Sequence, residues 1–238
     1  MPVKKVTRRA PVNEIFASLQ GEGLYAGQRQ VFVRFAGCNL RCNYCDTPAS
    51  LVLSEKQVFL STEQIIAQIR KKSNDNLKGV TVSLTGGEPL LYPEFLLELV
   101  RELKRNKALV YLETNATLPE FFQPLVKYID VIAADIKLPS ACGAPFWGEH
   151  KHFLTIGKAK AFVKIVLTDK ATPAEISKAA QVIASVSKDM PLVLQPASAV
   201  GKIKSIKPEA VYDFVALARK KLKNVSFLPQ MHKIWAIQ

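Results

Sequence analysis

Short apolar segments alternate with amphipathic segments along most of this 238-residue chain. Runs rich in valine, isoleucine and leucine predict strands at 31–35, 80–84, 108–113, 131–136, 162–167, 192–195 and 225–228. Helix signals lie between them: capping boxes begin at Ser61 and Thr172, and a helix is predicted over Pro93–Arg105. This alternation is typical of a parallel sheet covered by helices. Six or seven such units predict an α/β fold, an incomplete (β/α) barrel of about six parallel strands.

Length and composition indicate one soluble globular domain over residues 1–238. Barrels of this class commonly reach this size undivided, and 48% hydrophobic with 22% charged residues is ordinary for a soluble protein. Every apolar stretch meets a charge long before it could span a bilayer, so we expect no membrane association. Residues 1–9 are basic, but no apolar segment follows them. We therefore expect no secretory signal and a cytoplasmic location.

The formal net charge of +13 raises the question of nucleic acid as a partner. Lys71, Lys72, Lys220 and Lys221 fall in the last turns of predicted helices, where cations complement the helix dipole on solvated faces. The sequence contains neither aromatic-rich RNA-binding strands nor a Gly-x-x-Gly clamp. It therefore disfavours direct nucleic-acid binding. Anionic small molecules are better candidates for attraction by the positive electrostatic field of the protein.

Three cysteines, Cys38, Cys42 and Cys45, form a C-x3-C-x2-C loop directly after the first predicted parallel strand. Thiolates this closely spaced can hold a polynuclear iron–sulfur centre, and three of them leave one iron of a four-iron cluster without a protein ligand. Structural zinc prefers four ligands in paired knuckles, but the only other cysteine, Cys142, is nearly a hundred residues away. A disulfide framework fits less well still, because three of the four cysteines crowd one loop.

Polar or glycine-rich stretches follow five of the predicted strands. They are the cysteine loop and residues 85–89, 113–115, 135–137 and 195–196. In a parallel α/β sheet or barrel, ligands gather beyond the carboxyl ends of the strands. The five stretches therefore predict a single site on one rim.

The cysteine spacing and the Gly86-Gly87-Glu88-Pro89 stretch resemble the radical S-adenosylmethionine (SAM) superfamily. Within it, the chain resembles the 7-carboxy-7-deazaguanine synthase family over effectively its whole length, most specifically at 13–23, where the Gln-Gly-Glu-Gly stretch lies, and at 228–235. Two departures stand out. Ala116 occupies a position where glycine is usual, and Cys142 lies in a stretch where another residue is more usual. Cys142 is interpreted as a spare thiol, and residues 48–60 receive no role.

The resemblance implies that Cys38, Cys42 and Cys45 hold a 4Fe–4S cluster whose fourth iron is chelated by SAM. Reductive cleavage of SAM then yields the radical that abstracts hydrogen from C6 of 6-carboxy-5,6,7,8-tetrahydropterin. Ring contraction and loss of ammonia give 7-carboxy-7-deazaguanine. Magnesium is expected at Thr47. The pterin is expected to contact Leu19, Gln20, Gly21, Arg34 and Thr85. The SAM side is expected to comprise Tyr44, Cys45, Asp46, Gly87, Glu113, Asp135, Ile136, Lys137, Gln195, Pro196, Ala197 and Ser198.

The expected partners are the small-molecule pterin, a reducing protein such as flavodoxin or ferredoxin, and a second copy of the chain in a homodimer. Two other functions remain open at this point. A glycyl-radical-enzyme activase shares the cysteine and Gly-Gly-Glu-Pro motifs but acts on a protein and needs no pterin pocket at 19–23. A basic, zinc-stabilised RNA-binding module would contain zinc rather than iron and sulfide.

Overall fold

The computed structural model describes residues 8–199 and 203–236, so most of the basic amino-terminal stretch lies outside the described residues. One sheet contains nine strands, in the order β3-β1-β2-β4-β5-β6-β7-β8-β9. Their bounds are β1 Arg9–Leu19, β2 Arg29–Phe35, β3 Phe59–Ser61, β4 Thr81–Gly86, β5 Leu109–Thr114, β6 Val131–Asp135, β7 Ala161–Leu167, β8 Leu192–Pro196 and β9 Val225–Phe227.

Seven neighbouring strands, β2 and β4 to β9, run parallel to one another. β1 is antiparallel to β2 and to β3. The sheet is open, with β3 at one edge and β9 at the other. The predicted incomplete barrel is confirmed, with one parallel strand more than the expected six. The two antiparallel strands were not predicted.

Most of the helices lie between consecutive strands, as the alternating pattern predicted. They are α1 Thr62–Lys72, α2 Pro93–Arg105, α3 Pro119–Phe122, α4 Pro139–Cys142, α5 Trp147–Gly157, α6 Pro173–Val186, α7 Pro208–Arg219 and α8 Met231–Ile234. Both predicted capping boxes form: Ser61 Oγ accepts from the Gln64 backbone N–H at 3.3 Å, and Thr172 Oγ1 accepts from that of Glu175 at 3.3 Å. The predicted bounds of α2 are also confirmed. Among the described residues, no helix is both long and apolar enough to cross a membrane.

The two faces of the sheet differ, as β7 illustrates. Val163 and Ile165 belong to the large hydrophobic core beneath the helices. Side chains alternate along a strand, so Phe162, Lys164 and Val166 share the opposite face. There Phe162 packs in a small aromatic cluster, while Lys164 and Val166 line a cavity. Lys164 is thus a charged residue in an otherwise apolar strand, on the face that carries the cavity.

Candidate active site

A cavity of about 650 Å³ opens at the carboxyl ends of the parallel strands. All five polar stretches predicted to share one rim contribute to its lining. The sequence-predicted site residues that line it are Leu19, Gln20, Gly21, Arg34, Cys38, Cys42, Tyr44, Cys45, Asp46, Thr47, Thr85, Gly87, Glu113, Asp135, Lys137, Gln195, Ala197 and Ser198. Two predicted residues do not: the Ile136 side chain is fully buried in the hydrophobic core, and Pro196 lies outside the lining.

The cysteine loop is fixed to neighbouring elements through its asparagines. The Asn43 backbone N–H donates to the carbonyl of Ala141 in α4 at 2.9 Å. Asn39 Nδ2 donates to Thr117 Oγ1 at 2.9 Å, and Asn39 Oδ1 accepts from Asn115 Nδ2 at 2.8 Å. These contacts hold the loop against the carboxyl ends of β5 and β6, with all three cysteines reduced and facing the cavity.

The three cysteine sulfurs are not gathered as closely as a structural zinc site requires. With Zn–S bonds of about 2.3 Å, the sulfurs of a tetrahedral zinc site lie about 3.8 Å apart. In the described chain, one set of three potential metal ligands has all its ligand atoms within 4.8 Å of one another, and it is Glu22, Asp46 and His232, not the cysteines. Burial raises the pKa of the Cys42 thiol to about 11, and a bound metal cation would favour its thiolate form.

The Gly86-Gly87 turn is packed directly against the cysteine loop. A Cβ on Gly86 would overlap the backbone of Phe35, and one on Gly87 would overlap the carbonyl oxygens of Gly37 and Ser50. The Gly87 N–H donates to the Phe35 carbonyl at 3.0 Å. Both glycines are therefore required by backbone packing, in addition to the close ligand approach that the sequence suggested.

Glu88, next to this turn, is fully buried and joins it to the end of β5. Its carboxylate accepts from Thr114 Oγ1 at 2.8 Å and from the backbone N–H groups of Asn115 at 2.7 Å and Leu90 at 3.0 Å. Burial raises the pKa of Glu88 to about 7, although these donors favour the charged form. The carboxylate thus ties the segment after β4 to the end of β5.

Gln20, Thr85 and Glu113 form a hydrogen-bonded group on one side of the cavity. Glu113 accepts from Gln20 Nε2 at 2.7 Å and from Thr85 Oγ1 at 2.9 Å. Nearby, Arg34 Nε donates to Glu14 at 2.6 Å, and the guanidinium carbon lies 5.4 Å from the Phe16 ring centroid. Glu113 was predicted on the SAM side, but its contacts are with residues predicted on the pterin side.

A second polar group connects the cysteine loop with β6. Lys137 Nζ donates to Asp135 Oδ2 at 2.8 Å and to the Tyr44 hydroxyl at 2.9 Å. Burial alone would lower the pKa of Lys137, but Asp135 and Tyr44 outweigh it and raise the pKa well above its usual range. Across the cavity, Gln195 is fully buried, and within the described chain neither of its amide atoms has a partner. Such orphaned polar atoms fit a site that is completed by a polar ligand.

Several residues to which the sequence analysis gave no role also line the cavity, among them Glu22, Lys164, Gln230 and His232. Glu22 forms a close ion pair with Lys164 and accepts from Gln230 Nε2 at 2.8 Å. Burial would raise the pKa of Glu22, but Lys164 and Gln230 outweigh it and the pKa is lowered. The sequence contained signals that could have identified these residues. The stretches that carry the family resemblance include Glu22, Gln230 and His232, and Lys164 interrupts an apolar strand.

The two departures from the family pattern have local explanations. Cys142 Sγ donates to the carbonyls of Leu138 at 3.3 Å and Ala144 at 3.2 Å, and it does not line the cavity. This agrees with its interpretation as a spare thiol. Ala116 adopts a left-handed conformation, with φ of 56°, in a fully buried position. The turn therefore keeps the backbone geometry that favours glycine, at a cost in strain.

The fold and the three-cysteine loop are those of radical SAM proteins, and a sequence model of that superfamily matches residues 32–141. Curated 7-carboxy-7-deazaguanine synthases match nearly the whole chain. That of Geobacter sulfurreducens is 36% identical and covers 94% of this chain and 96% of the relative. That of Archaeoglobus fulgidus is 36% identical and covers 97% and 100%. The chain belongs to the 7-carboxy-7-deazaguanine synthase family, as predicted.

A crystal structure of QueE from Escherichia coli superposes with a TM-score of 0.66 and covers 94% of this chain and 95% of that one. At 21% identity, this similarity supports the fold alone. A radical SAM methyltransferase from Sphaerobacter thermophilus has the same fold with a TM-score of 0.59 and 14% identity. Membership of the radical SAM superfamily implies a 4Fe–4S cluster and SAM as the cofactors.

Proposed function

We propose that this protein is a 7-carboxy-7-deazaguanine synthase that converts 6-carboxy-5,6,7,8-tetrahydropterin to 7-carboxy-7-deazaguanine and ammonia. The observation that carries the proposal is that Cys38, Cys42 and Cys45 face the same cavity as Gln20, Thr85 and the other residues expected to contact the pterin. Bound cluster and SAM together supply the radical that abstracts hydrogen from the substrate. The protein's own residues hold these groups, orient the substrate and exclude water.

The pterin would be bound beside Gln20, Thr85 and Glu113. Their hydrogen bonds to one another fix each side chain before the substrate arrives, so little conformational entropy is lost on binding. Phe16 and Phe32, which stack with ring centroids 5.0 Å apart, give this part of the cavity an apolar wall. Arg34 offers a planar cation for the substrate carboxylate. The hydrogen bonds of Glu113 to Gln20 and Thr85 support a role on the pterin side rather than on the SAM side.

SAM would lie beside Asp135, Lys137, Gln195 and Ser198. The unpartnered amide of Gln195 and the unpartnered Oδ1 of Asp135 are buried groups that a polar ligand would satisfy. Ser198 is positioned by Gln230, whose Oε1 accepts from its hydroxyl at 2.6 Å. Tyr44 links this side to the cysteine loop through Lys137.

Magnesium would bind at Thr47, whose hydroxyl oxygen lies 3.9 Å from Cys45 Sγ and faces the cavity. The ion favours few protein oxygens, with the remaining ligands from water or substrate. The cluster of Glu22, Asp46 and His232 is a poorer site, because Lys164 already pairs with Glu22, and Lys233 lies 3.6 Å from Asp46. A metal ion bound there would be repelled by the ammonium groups of Lys164 and Lys233.

The remaining assignments follow from the family and from the composition. We propose a single domain over 1–238, a cytoplasmic homodimer, and reduction by flavodoxin or ferredoxin. Nucleic acid and membranes are not expected partners. A peptide-directed activase is disfavoured, because the relatives that match nearly the whole chain are 7-carboxy-7-deazaguanine synthases.

An anaerobic assay tests the activity. The reconstituted protein is incubated with 6-carboxytetrahydropterin, SAM and dithionite, and the product is identified by mass spectrometry. We expect 7-carboxy-7-deazaguanine from the wild type and from Cys142→Ala, and none from Cys38→Ala, Cys42→Ala or Cys45→Ala. Cleavage of SAM without this product would leave a radical SAM enzyme with a different substrate. Loss of iron from Cys142→Ala, with iron retained in Cys45→Ala, would overturn the ligand assignment.

A further inference from the structure

Lys164 is a buried cation in the middle of β7. Its neighbours in the strand are apolar, its side chain is 14% exposed, and its ammonium group faces the cavity. Taking an ammonium group out of water is costly unless it is paired and hydrogen-bonded. A strand position inside a hydrophobic sheet therefore has no structural need of lysine, and its partners explain its presence.

Three carboxylates from three different elements surround Lys164. Glu22, from the segment after β1, forms the close ion pair. Asp135 Oδ2, at the end of β6, lies 3.6 Å from the ammonium nitrogen, and Glu113, on β5, attracts it over a longer distance. Burial would lower the pKa of Lys164, but Glu22 and Asp135 outweigh it and raise the pKa, so the group is charged at any working pH.

These carboxylates belong to the two subsites of the proposed reaction. Glu22 lies two residues beyond Gln20, and its backbone N–H donates to Gln20 Oε1 at 3.1 Å. Asp135 belongs instead to the group with Lys137 and Tyr44, beside the cysteine loop. Lys164 thus contacts carboxylates on both sides of the cavity.

We propose that Lys164 is a positioning residue that keeps Glu22 as a fixed anion on the pterin side and holds Asp135 in place on the SAM side. This inference rests on the proposed function. An anionic Glu22 can only accept hydrogen bonds, which suits the N–H groups along the edge of a pterin. Without the ammonium group, burial raises the proton affinity of Glu22, and a protonated carboxyl would present a donor to that edge.

Binding measurements without reductant test the inference apart from turnover. The cluster-loaded wild type, Lys164→Met and Lys164→Arg are titrated calorimetrically with 6-carboxytetrahydropterin and with SAM, at about pH 6 and about pH 8. We expect Lys164→Met to raise the dissociation constants of both ligands by about tenfold or more, which is the loss associated with one charge-assisted hydrogen bond. Its pterin affinity should also be lower at the acidic pH. Lys164→Arg, which keeps the charge, should restore a pH response like that of the wild type.

Other ionisable groups near Glu22 are Asp46, His232 and Lys233. These groups, and Tyr111 on β5, are present in every variant. Lys160 provides a matched control. It directly precedes β7, but it does not line the cavity, and its Nζ donates to the carbonyls of Val126 and Ile129 at 3.0 and 2.6 Å. Lys160→Met should lower the melting temperature without changing the pH dependence of ligand binding.

A folded Lys164→Met with both dissociation constants within about twofold of the wild type at both pH values would overturn the inference. If Lys164→Met does not fold, Lys164→Gln is used under the same criteria. Failure of the wild type to bind the carboxypterin would refute the proposed substrate instead. The SAM titrations would then decide the inference, because undiminished SAM binding in Lys164→Met would exclude a role for Lys164 on that side.

Discussion

Arg34 reaches the cavity from β2 with its Nε already bound to Glu14 and its guanidinium group over Phe16. These two contacts orient the planar fork, which a lysine ammonium group cannot reproduce. Arg34→Lys should therefore raise the dissociation constant of the carboxypterin by about ten- to a hundredfold and leave that of SAM nearly unchanged. Calorimetric titration of both ligands measures this.

Arg29 lies on the same strand and supplies the control, because it is exposed, its guanidinium donates to the carbonyl of Lys72 at 3.2 Å, and it does not line the cavity. Arg29→Lys should bind both ligands as the wild type does. An equal loss of SAM and pterin affinity in Arg34→Lys would assign Arg34 to the fold or to the cofactor side.

At the scale of residues, the sequence predicted most of the cavity lining because strand ends are readable and the family motifs mark them. It did not predict which side chains pair. Glu113 bonds to Gln20, 93 positions away, and Glu22 bonds to Gln230, 208 positions away. Such pairs depend on how far the sheet curls, and spacing along the chain contains no information on that.

Among the structural elements, the turn after β4 is the least tolerant of change. Gly87→Ala would place a Cβ against the carbonyl oxygens of Gly37 and Ser50, which belong to backbone and cannot rotate away. We expect a loss of at least about 2 kcal/mol in the free energy of unfolding, together with poor cluster incorporation. Urea unfolding and iron analysis measure the two effects.

Gly148, within α5, is the matched comparison, because a Cβ there would meet nothing within 4 Å. Gly148→Ala should be neutral or more stable by up to about 1 kcal/mol, since alanine loses less backbone entropy in a helix. A Gly87→Ala protein as stable as Gly148→Ala would show that the cysteine loop can move away from the turn.

His150 joins α5 to the ends of β5 and β6. It is fully buried, and its Nε2 lies 3.2 Å from the carbonyl oxygen of Asn115 and 3.4 Å from the backbone nitrogen of Lys137. Burial lowers the pKa of His150 to about 4. Between that value and the usual pKa of about 6.5, the unfolded chain binds a proton that the folded chain does not, so the contribution of His150 to stability is lost as the pH falls.

His150→Gln should remove this pH dependence, because glutamine does not titrate. From about pH 7.5 to about pH 5.5, the wild type should lose about 1.4 kcal/mol more stability than the variant. Anaerobic urea unfolding at both pH values gives the comparison, and any contribution from Glu88 is common to both proteins. The control is His152→Gln, at an exposed position of the same helix, which should show the same change in stability with pH as the wild type. Parallel pH profiles for the wild type and His150→Gln would contradict the prediction.

The parallel strands and α2 were predictable because their apolar runs and capping residues are local signals. β1 was not. Its sequence mixes Arg9, Pro11, Asn13 and Glu14 with apolar residues, and a register shift between Val12 and Glu14 breaks the alternation. Its pairing with β2 stabilises the strand, and that pairing is a tertiary contact that overrides weak local propensity.

For the whole molecule, the net charge of +13 is not concentrated in the cavity. Among the described residues, four acidic side chains line it, namely Glu22, Asp46, Glu113 and Asp135, and so do four basic ones, namely Arg34, Lys137, Lys164 and Lys233. The excess positive charge therefore lies elsewhere on the chain. The expectation that the overall field attracts small anionic ligands stays a prediction.

Salt dependence separates local recognition from this general field. The ion pairs within the cavity are partly buried and little screened, whereas exposed charges are screened within a few ångströms at high ionic strength. Raising the salt concentration from about 0.05 M to about 0.5 M should therefore change the KM for the carboxypterin by less than about threefold. Steady-state assays at several salt concentrations measure this, with potassium glutamate replacing chloride as a control for specific anion effects. A KM that rises steeply with salt would mean that surface lysines attract the substrate, and recognition would then depend on the whole molecule rather than on the cavity.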